Sequence, residues 1–273
     1  MIWRMYSGPE VTPKFIASGC PKHGLHLLAL LIEGVVRKHP PSIYNANHWI
    51  GNHRFNSFTL EEQEMDRWFF IASRLQQGEY MQGHISYRPD ISGFLRLGRV
   101  AFVFVYRDLR DVAVSMMHHA LDADNNKYRH PAKGAYRALR DQGGEEAVLS
   151  AIIEGMGPFP GVVKLWEAYA PWVDEYWVHA VKFEDILADP KAAAAGILEY
   201  GLEQITRGIW EAEFRVERSI FNQAVESMAR LSQRTDLSPT FRQGKAGGWQ
   251  DVFTEQHKEQ FKEQDQAGWL IRL

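Results

Sequence analysis

Arg99-Val-Ala-Phe-Val-Phe-Val-Tyr106 is β-branched or aromatic at most positions and apolar on both faces of an extended chain. A strand with one wet face alternates apolar and polar residues. One buried on both faces does not alternate, and such strands lie inside parallel sheets. The run stops at Arg107, and Leu109 to Ala120 then has the length and pattern of a helix. The same succession recurs on either side. Lys14-Phe-Ile-Ala-Ser18 reads as a short buried strand, Gly19 to Gly24 as a turn, and Leu25 to Lys38 as a helix. Thr59-Leu-Glu-Glu62 is a capping-box pattern that opens a helix to about Gln77. Glu79 to Ser86 is extended. Val162 to Val173 is helical and ended by Pro171, Trp177 to Phe183 is a strand, and a helix starts at Asp189. Asp122 to Gly144 is polar and aperiodic, which predicts a loop or lid. Strands alternating with helices predict an α/β fold: a single domain over 1–273, with a central, mostly parallel sheet and helices on both faces.

Composition removes several classes of function. A net charge of −3 gives no global basic field for nucleic acid. The single cysteine, Cys20, rules out an intrachain disulfide framework and fits a reducing, cytoplasmic setting. Met1 to Glu10 lacks the apolar core of a signal peptide. The greasiest stretch, Leu25 to Val36, falls well short of the roughly 20 residues that cross a bilayer and contains His26 and Glu33. No H-E-x-x-H or paired C-x-x-C occurs among the eleven histidines and one cysteine, so no metal is expected.

Chemistry gathers in three places. In open parallel sheets, ligands sit beyond the carboxyl ends of strands, where helix N-termini present unpaired N–H groups to anions. Gly19-Cys-Pro-Lys-His-Gly24 fits that description: its glycines allow close backbone approach, Pro21 stiffens the turn, and Lys22 adds a cation. It is not a nucleoside-triphosphate loop, because His23 stands where a magnesium-binding Ser or Thr would follow the lysine; this weighs against a nucleotide kinase. Tyr106-Arg-Asp-Leu-Arg-Asp-Val-Ala-Val-Ser115 places Arg107 at the end of the strong strand and Ser115 about two turns into the helix. A guanidinium and a hydroxyl in that arrangement suit a phosphate. The bland alternative is a surface pairing of Arg107 with Asp108 or Asp111. Phe241-Arg-Gln-Gly-Lys-Ala-Gly-Gly-Trp249 is a basic, glycine-rich loop ahead of the last helix, able to close over an anion.

Taken in order, these segments resemble the sulfotransferase family that uses 3′-phosphoadenosine 5′-phosphosulfate (PAPS). Its members carry a loop similar to Pro21-Lys22-x-Gly24 and a strand–helix element similar to Tyr106-Arg107-Asp108-x-Arg110-Asp111-x-x-x-Ser115. They also have an aromatic-Glu-Asp element similar to Lys182-Phe-Glu-Asp-Ile186, and a late loop similar to Arg242-x-Gly244-x-x-Gly-x-Trp249. The resemblance implies a P-loop NTPase-like sulfotransferase architecture with PAPS as co-substrate and no metal. It assigns the phosphosulfate to Pro21, Lys22, His23, Gly24, Leu25 and His26, with Lys22 on the bridging oxygen. Arg107 and Ser115 would take the 3′-phosphate, Arg242, Gln243 and Gly244 would close over it, and Phe183 and Val225 would lie near adenine. His23, Leu25 and His26 replace the hydroxyl residues of the family loop, and Gln243 stands where a second cation is common. Gln250, Thr254 and Glu259 keep only part of the family's dimerisation pattern, which leaves the oligomeric state open between a monomer and a homodimer.

Sulfuryl transfer depends on positioning and charge stabilisation. By the resemblance, His84 in Met81-Gln-Gly-His-Ile-Ser86 is the base for the acceptor, and 3′-phosphoadenosine 5′-phosphate (PAP) leaves. His48 and His53 flank a Trp-containing stretch suited to an acceptor pocket, whereas His118 and His119 read as surface helix residues. The acceptor is a small molecule or a carrier-bound chain. The altered first loop motivates the alternative of a non-catalytic domain that binds PAPS, PAP or a partner.

Overall fold

The computed structural model of the protein describes residues 12–36, 72–122, 133–206, 218–234 and 244–269. Its main sheet is built from β1 (Phe15–Gly19), β2 (Tyr80–Gly83), β3 (Ala101–Tyr106) and β6 (His179–Lys182). They lie in the order β2-β1-β3-β6 and every pairing is parallel. A short antiparallel ribbon joins β4 (Gly155–Met156) to β5 (Phe159–Pro160).

The two-sided apolarity of β3 has its expected cause. Phe102 and Phe104 face one layer with Ile16, and Ala101, Val103 and Val105 face the other with Phe15 and Ala17. The first layer is supplied by α2 (Pro89–Leu97), α3 (Leu109–Leu121), α4 (Lys133–Glu154), α5 (Val162–Glu167) and α6 (Pro171–Asp174). The second is supplied by α1 (Leu25–Glu33), α7 (Phe183–Ala188), α8 (Pro190–Thr206) and α9 (Arg218–Ser232). The terminal α10 (Glu255–Gln264) buries Phe261 against the first layer. No helix among the described residues is long and apolar enough to cross a membrane.

Several expectations need correction. The polar segment placed in a loop or lid is helical from Lys133 onward, with a break at Gly144 (φ 73°, ψ −170°). Tyr136 and the partly buried Leu139, three residues apart, anchor its first part, and Val148, Leu149, Ile152 and Ile153 bury the second. Two apolar anchors in a polar stretch are too few to show a period, although its Ala, Leu, Lys and Arg are good helix formers. Val162 to Val173 is two short helices, not one, and Pro171 opens the second rather than ending the first. Its missing N–H and fixed φ suit a first helical position. Most of the helix expected from Thr59 to Gln77, with His48 and His53, lies outside the described residues; Ala72 to Arg74 are helical.

The topology fixes where a ligand can sit. The chain leaves β1 toward β2 on one side, and leaves β3 toward β6 on the other. The carboxyl ends of β1 and β3 therefore flank a topological switch point, the crevice where open α/β sheets bind ligands.

Candidate active site

The turn after β1 enters the crevice through two left-handed residues. Lys22 has φ 69° and Gly24 φ 102°. A Cβ on Gly24 would lie 2.3 Å from a ring carbon of Phe183, so glycine is required by space as well as by conformation. Lys22 and His26 remain partly exposed at the start of α1, whereas Pro21 and Leu25 are buried. Leu25 turns its side chain into the second layer. His23 also turns inward. It is fully buried, stacks on Trp166 at 5.0 Å between centroids, and accepts the backbone N–H of Arg107 through Nδ1 at 3.1 Å. The bond from Arg107 fixes the neutral ring as the Nε2–H tautomer. That buried Nε2 has no hydrogen-bond partner among the described residues.

His84 is brought to this turn by strand register. Ser18 pairs with Gly83, the last residue of β2, so the residue that follows lies beside Gly19. His84 Nδ1 is 2.7 Å from the Gly19 carbonyl. A carbonyl only accepts, so Nδ1 carries the proton and Nε2 is the basic nitrogen. The following residue is pinned from both sides: Ile85 N–H donates to Ser18 Oγ at 3.2 Å, and the Trp172 indole N–H donates to Ile85 O at 2.9 Å. Burial lowers the pKa of His84 to about 4, with the Gly19 bond opposing and Lys22 adding to the fall. Burial, then His84 and Lys22, lowers His26 to about 3. Burial, then Arg107 and His84, puts His23 well below the ordinary range. The imidazoles are therefore neutral beside one lysine. Cys20 is buried too, and desolvation raises its thiol, the opposite of activation by a helix start.

Across the crevice, Arg107 is the hub. Its side chain is only 12% exposed and that of Asp111 2%, which removes the reading of an ordinary surface pair. The guanidinium lies 4.3 Å over the Phe183 ring, and Nη2 donates to the Lys245 carbonyl at 2.8 Å. Asp111 Oδ2 is 3.4 Å from Nη2, and Glu184 Oε1 is 4.0 Å from Nε. Glu184 also accepts the Asp108 N–H, and burial raises its pKa. Ser115 lies half-buried further along α3. Asp108, the other suggested pairing partner, caps α3 and holds Arg110 at 2.6 Å. Arg110 in turn lies 3.9 Å over Trp249.

The late loop is docked on this hub. Asp111 Oδ2 accepts from the Gly247 N–H at 2.7 Å, and Oδ1 from the Trp249 N–H at 2.9 Å. Gly244 (φ 55°) lies at the start of this docked stretch; Arg242 and Gln243 fall outside the described residues. Phe183 joins the two sides, touching both Gly24 and Arg107. Val225, on α9, packs in the same second layer as Phe183 and Leu25. Sequence reasoning missed Asp111 and Glu184 as site-building residues and Trp166 as the support for His23. Asp111 and Glu184 stand inside recognised motifs; for Trp166 only its aromatic character was visible. Among the described residues, no three His, Cys, Asp or Glu side chains gather as metal ligands.

The fold and the crevice define a parallel α/β protein of the P-loop-like kind, with cationic and N–H groups collected at the switch point. The sequence model of the sulfotransferase domain matches residues 71–267, and the chain belongs to that family. The match begins beyond the first loop. Among similar solved structures, the mouse sulfotransferase SULT7A1 complexed with PAP is 16% identical, with 92% of this chain and 82% of that one covered and a TM-score of 0.56. Retinol dehydratase in complex with androsterone and inactive cofactor PAP is 14% identical, covering 95% and 81%, with a TM-score of 0.54. At these identities the likeness establishes the fold. No curated protein matches the sequence.

Proposed function

We propose that the protein transfers a sulfuryl group from PAPS to a hydroxyl or amine of a small-molecule or carrier-bound acceptor. The observation that carries this reading is the meeting of two anion-directed elements at one switch point. The first loop offers Lys22 and the start of α1; the β3–α3 turn offers Arg107. His23 Nδ1 and the Arg107 N–H, 3.1 Å apart, join the two. A nucleotide with phosphates at both its 5′ and 3′ positions needs two such elements, whereas ATP needs one.

PAPS supplies an activated sulfuryl group, and in-line attack by the acceptor releases PAP. The residues of this chain supply placement and charge. Lys22 stabilises negative charge growing on the leaving phosphate, a type of assistance typically worth 10²–10³-fold in rate. His84, with Nδ1–H tied to Gly19, offers Nε2 to the acceptor proton. Its low pKa reflects burial first and the nearby Lys22 charge second; a polyanion beside Lys22 offsets that charge and raises the pKa of the base back toward its ordinary range. Arg107 and Ser115 hold the 3′-phosphate, and Phe183 provides an apolar edge beside them.

A second reading, a binding domain without turnover, draws on the inward-facing His23 and Leu25, which leave the first loop short of side-chain donors. One experiment separates the two. PAP release from PAPS is followed with pooled phenols, alcohols, sugars and amines, using wild type and His84→Ala. Acceptor-dependent release, lost in the variant, supports transfer. PAP binding without release from any pool supports the binding domain.

A further inference from the structure

A carboxylate beside an arginine meant for phosphate is a puzzle of charge. Asp111 is buried, sits 3.4 Å from Arg107, and would repel an incoming anion. It is already satisfied by other donors: both its oxygens accept backbone N–H groups, from Gly247 and Trp249, at 2.7 and 2.9 Å. Ionised acceptors of backbone N–H groups form some of the stronger hydrogen bonds in proteins. The loop that donates them bends through Gly247 at φ 75° and carries the Lys245 carbonyl that holds Arg107. Arg110 stacking on Trp249 adds a second attachment from the same helix. The late loop is thus fastened to α3 by contacts made within this chain, Asp111 on the Gly247 and Trp249 N–H groups and Arg110 on the Trp249 ring.

From this geometry we propose that Asp111 is a positioning residue: it holds the 244–249 loop on Arg107, so that the 3′-phosphate half of the site is assembled before nucleotide arrives. This rests on the reading of the crevice as a PAPS site. The rival role for Asp111 is to neutralise Arg107 in the empty protein, and the two roles predict opposite signs. Asp111→Asn keeps the shape but removes the charge and one acceptor. If Asp111 only competes with phosphate, the variant binds PAP more tightly. If it positions the loop, the variant binds PAP more weakly, because the loop leaves Arg107.

The test measures PAP and AMP affinities of wild type and Asp111→Asn by calorimetry, together with hydrogen exchange at the Gly247 and Trp249 amides. The expected result is about a tenfold loss in PAP affinity, AMP affinity within about twofold, and faster exchange at both amides. Unchanged or tighter PAP binding with both amides still protected overturns the proposal. Should the variant fail to fold, wild-type exchange decides: both amides are expected to be protected without nucleotide, and protection that appears only with PAP is the contrary result. A wild type that does not prefer PAP to AMP removes the nucleotide reading, while the exchange data still test whether Asp111 holds the loop.

Discussion

The first loop, Gly19 to Gly24, turns much of its side-chain chemistry away from the crevice: His23 stacks on Trp166 and Cys20 is sealed in the core. The late loop, from Gly244 to Trp249, does the reverse, fixing its backbone to the buried Asp111 and meeting Arg107 through a carbonyl. One end of the crevice relies on a lysine and on helix geometry, the other on a web of buried charge. On the proposed reading, the two ends of the crevice would hold an anion by different means. Where backbone N–H groups do the binding, neighbouring side chains can be replaced provided the turn survives. Where a guanidinium does it, each carboxylate around it must be answered by a donor.

The largest effects are expected where the chemistry concentrates. Lys22→Ala and His84→Ala should each lower sulfuryl transfer by roughly 10²-fold or more, in a PAP-release assay. Lys22→Ala should also leave the melting temperature within about 2 °C, since Lys22 is partly exposed. Full activity in either variant would remove that residue from the mechanism. At the other end, Arg107→Ala should cut the preference for PAP over AMP by about tenfold or more while AMP affinity changes little, because the lost contact serves the 3′-phosphate. An equal loss for both nucleotides would place Arg107 elsewhere.

A pH dependence should mark the first loop. The folded pKa of His84 is about 4 and that of His26 about 3, below the ordinary imidazole value of 6.5. The unfolded chain therefore takes up protons first as pH falls. This contribution to stability is complete above about pH 6.5 and is lost progressively as pH drops through the folded values. The unfolding free energy of the nucleotide-free protein, from urea titrations, should fall between pH 7 and pH 4, by about a few kcal/mol in all. A flat profile would contradict the burial of these rings. The smallest effect is expected from His23→Ser, which gives up the stacking on Trp166 and the acceptor for the Arg107 N–H. It should destabilise the protein by about 2 kcal/mol in urea unfolding. A neutral result would mean that the turn stands without this imidazole.

Much of the frame was legible because it follows from period and punctuation. The two-sided run before Arg107 specified a central parallel strand, and the glycines around Lys22 specified the turn. Other helices hid for physical reasons. From Gly134 to Gly143 the core receives Tyr136 and Leu139 alone, and the Gly144 break interrupts the periodicity. The segments Pro89–Leu97 and Arg218–Ser232 went unread as helices, although Pro89 stands at a first-turn position and Gly98 at the cap. Within the site, residue type pointed to Lys22 and Arg107, and the family resemblance pointed to His84. It could not show which way His23 faces, because an imidazole serves equally as ligand or as buried ring. Nor could local spacing reveal Asp111 beneath a loop 136 residues later in the chain.

The central claim is that the crevice recognises both phosphates of a 3′-phosphorylated adenine nucleotide. It is tested most directly by calorimetry of the wild-type protein with PAP, AMP, and ATP with magnesium, repeated on Arg107→Ala. The account expects PAP to bind at least about tenfold more tightly than AMP or ATP, with that margin lost in the variant. ATP with magnesium binding as tightly as PAP, or a PAP preference that survives Arg107→Ala, would contradict it.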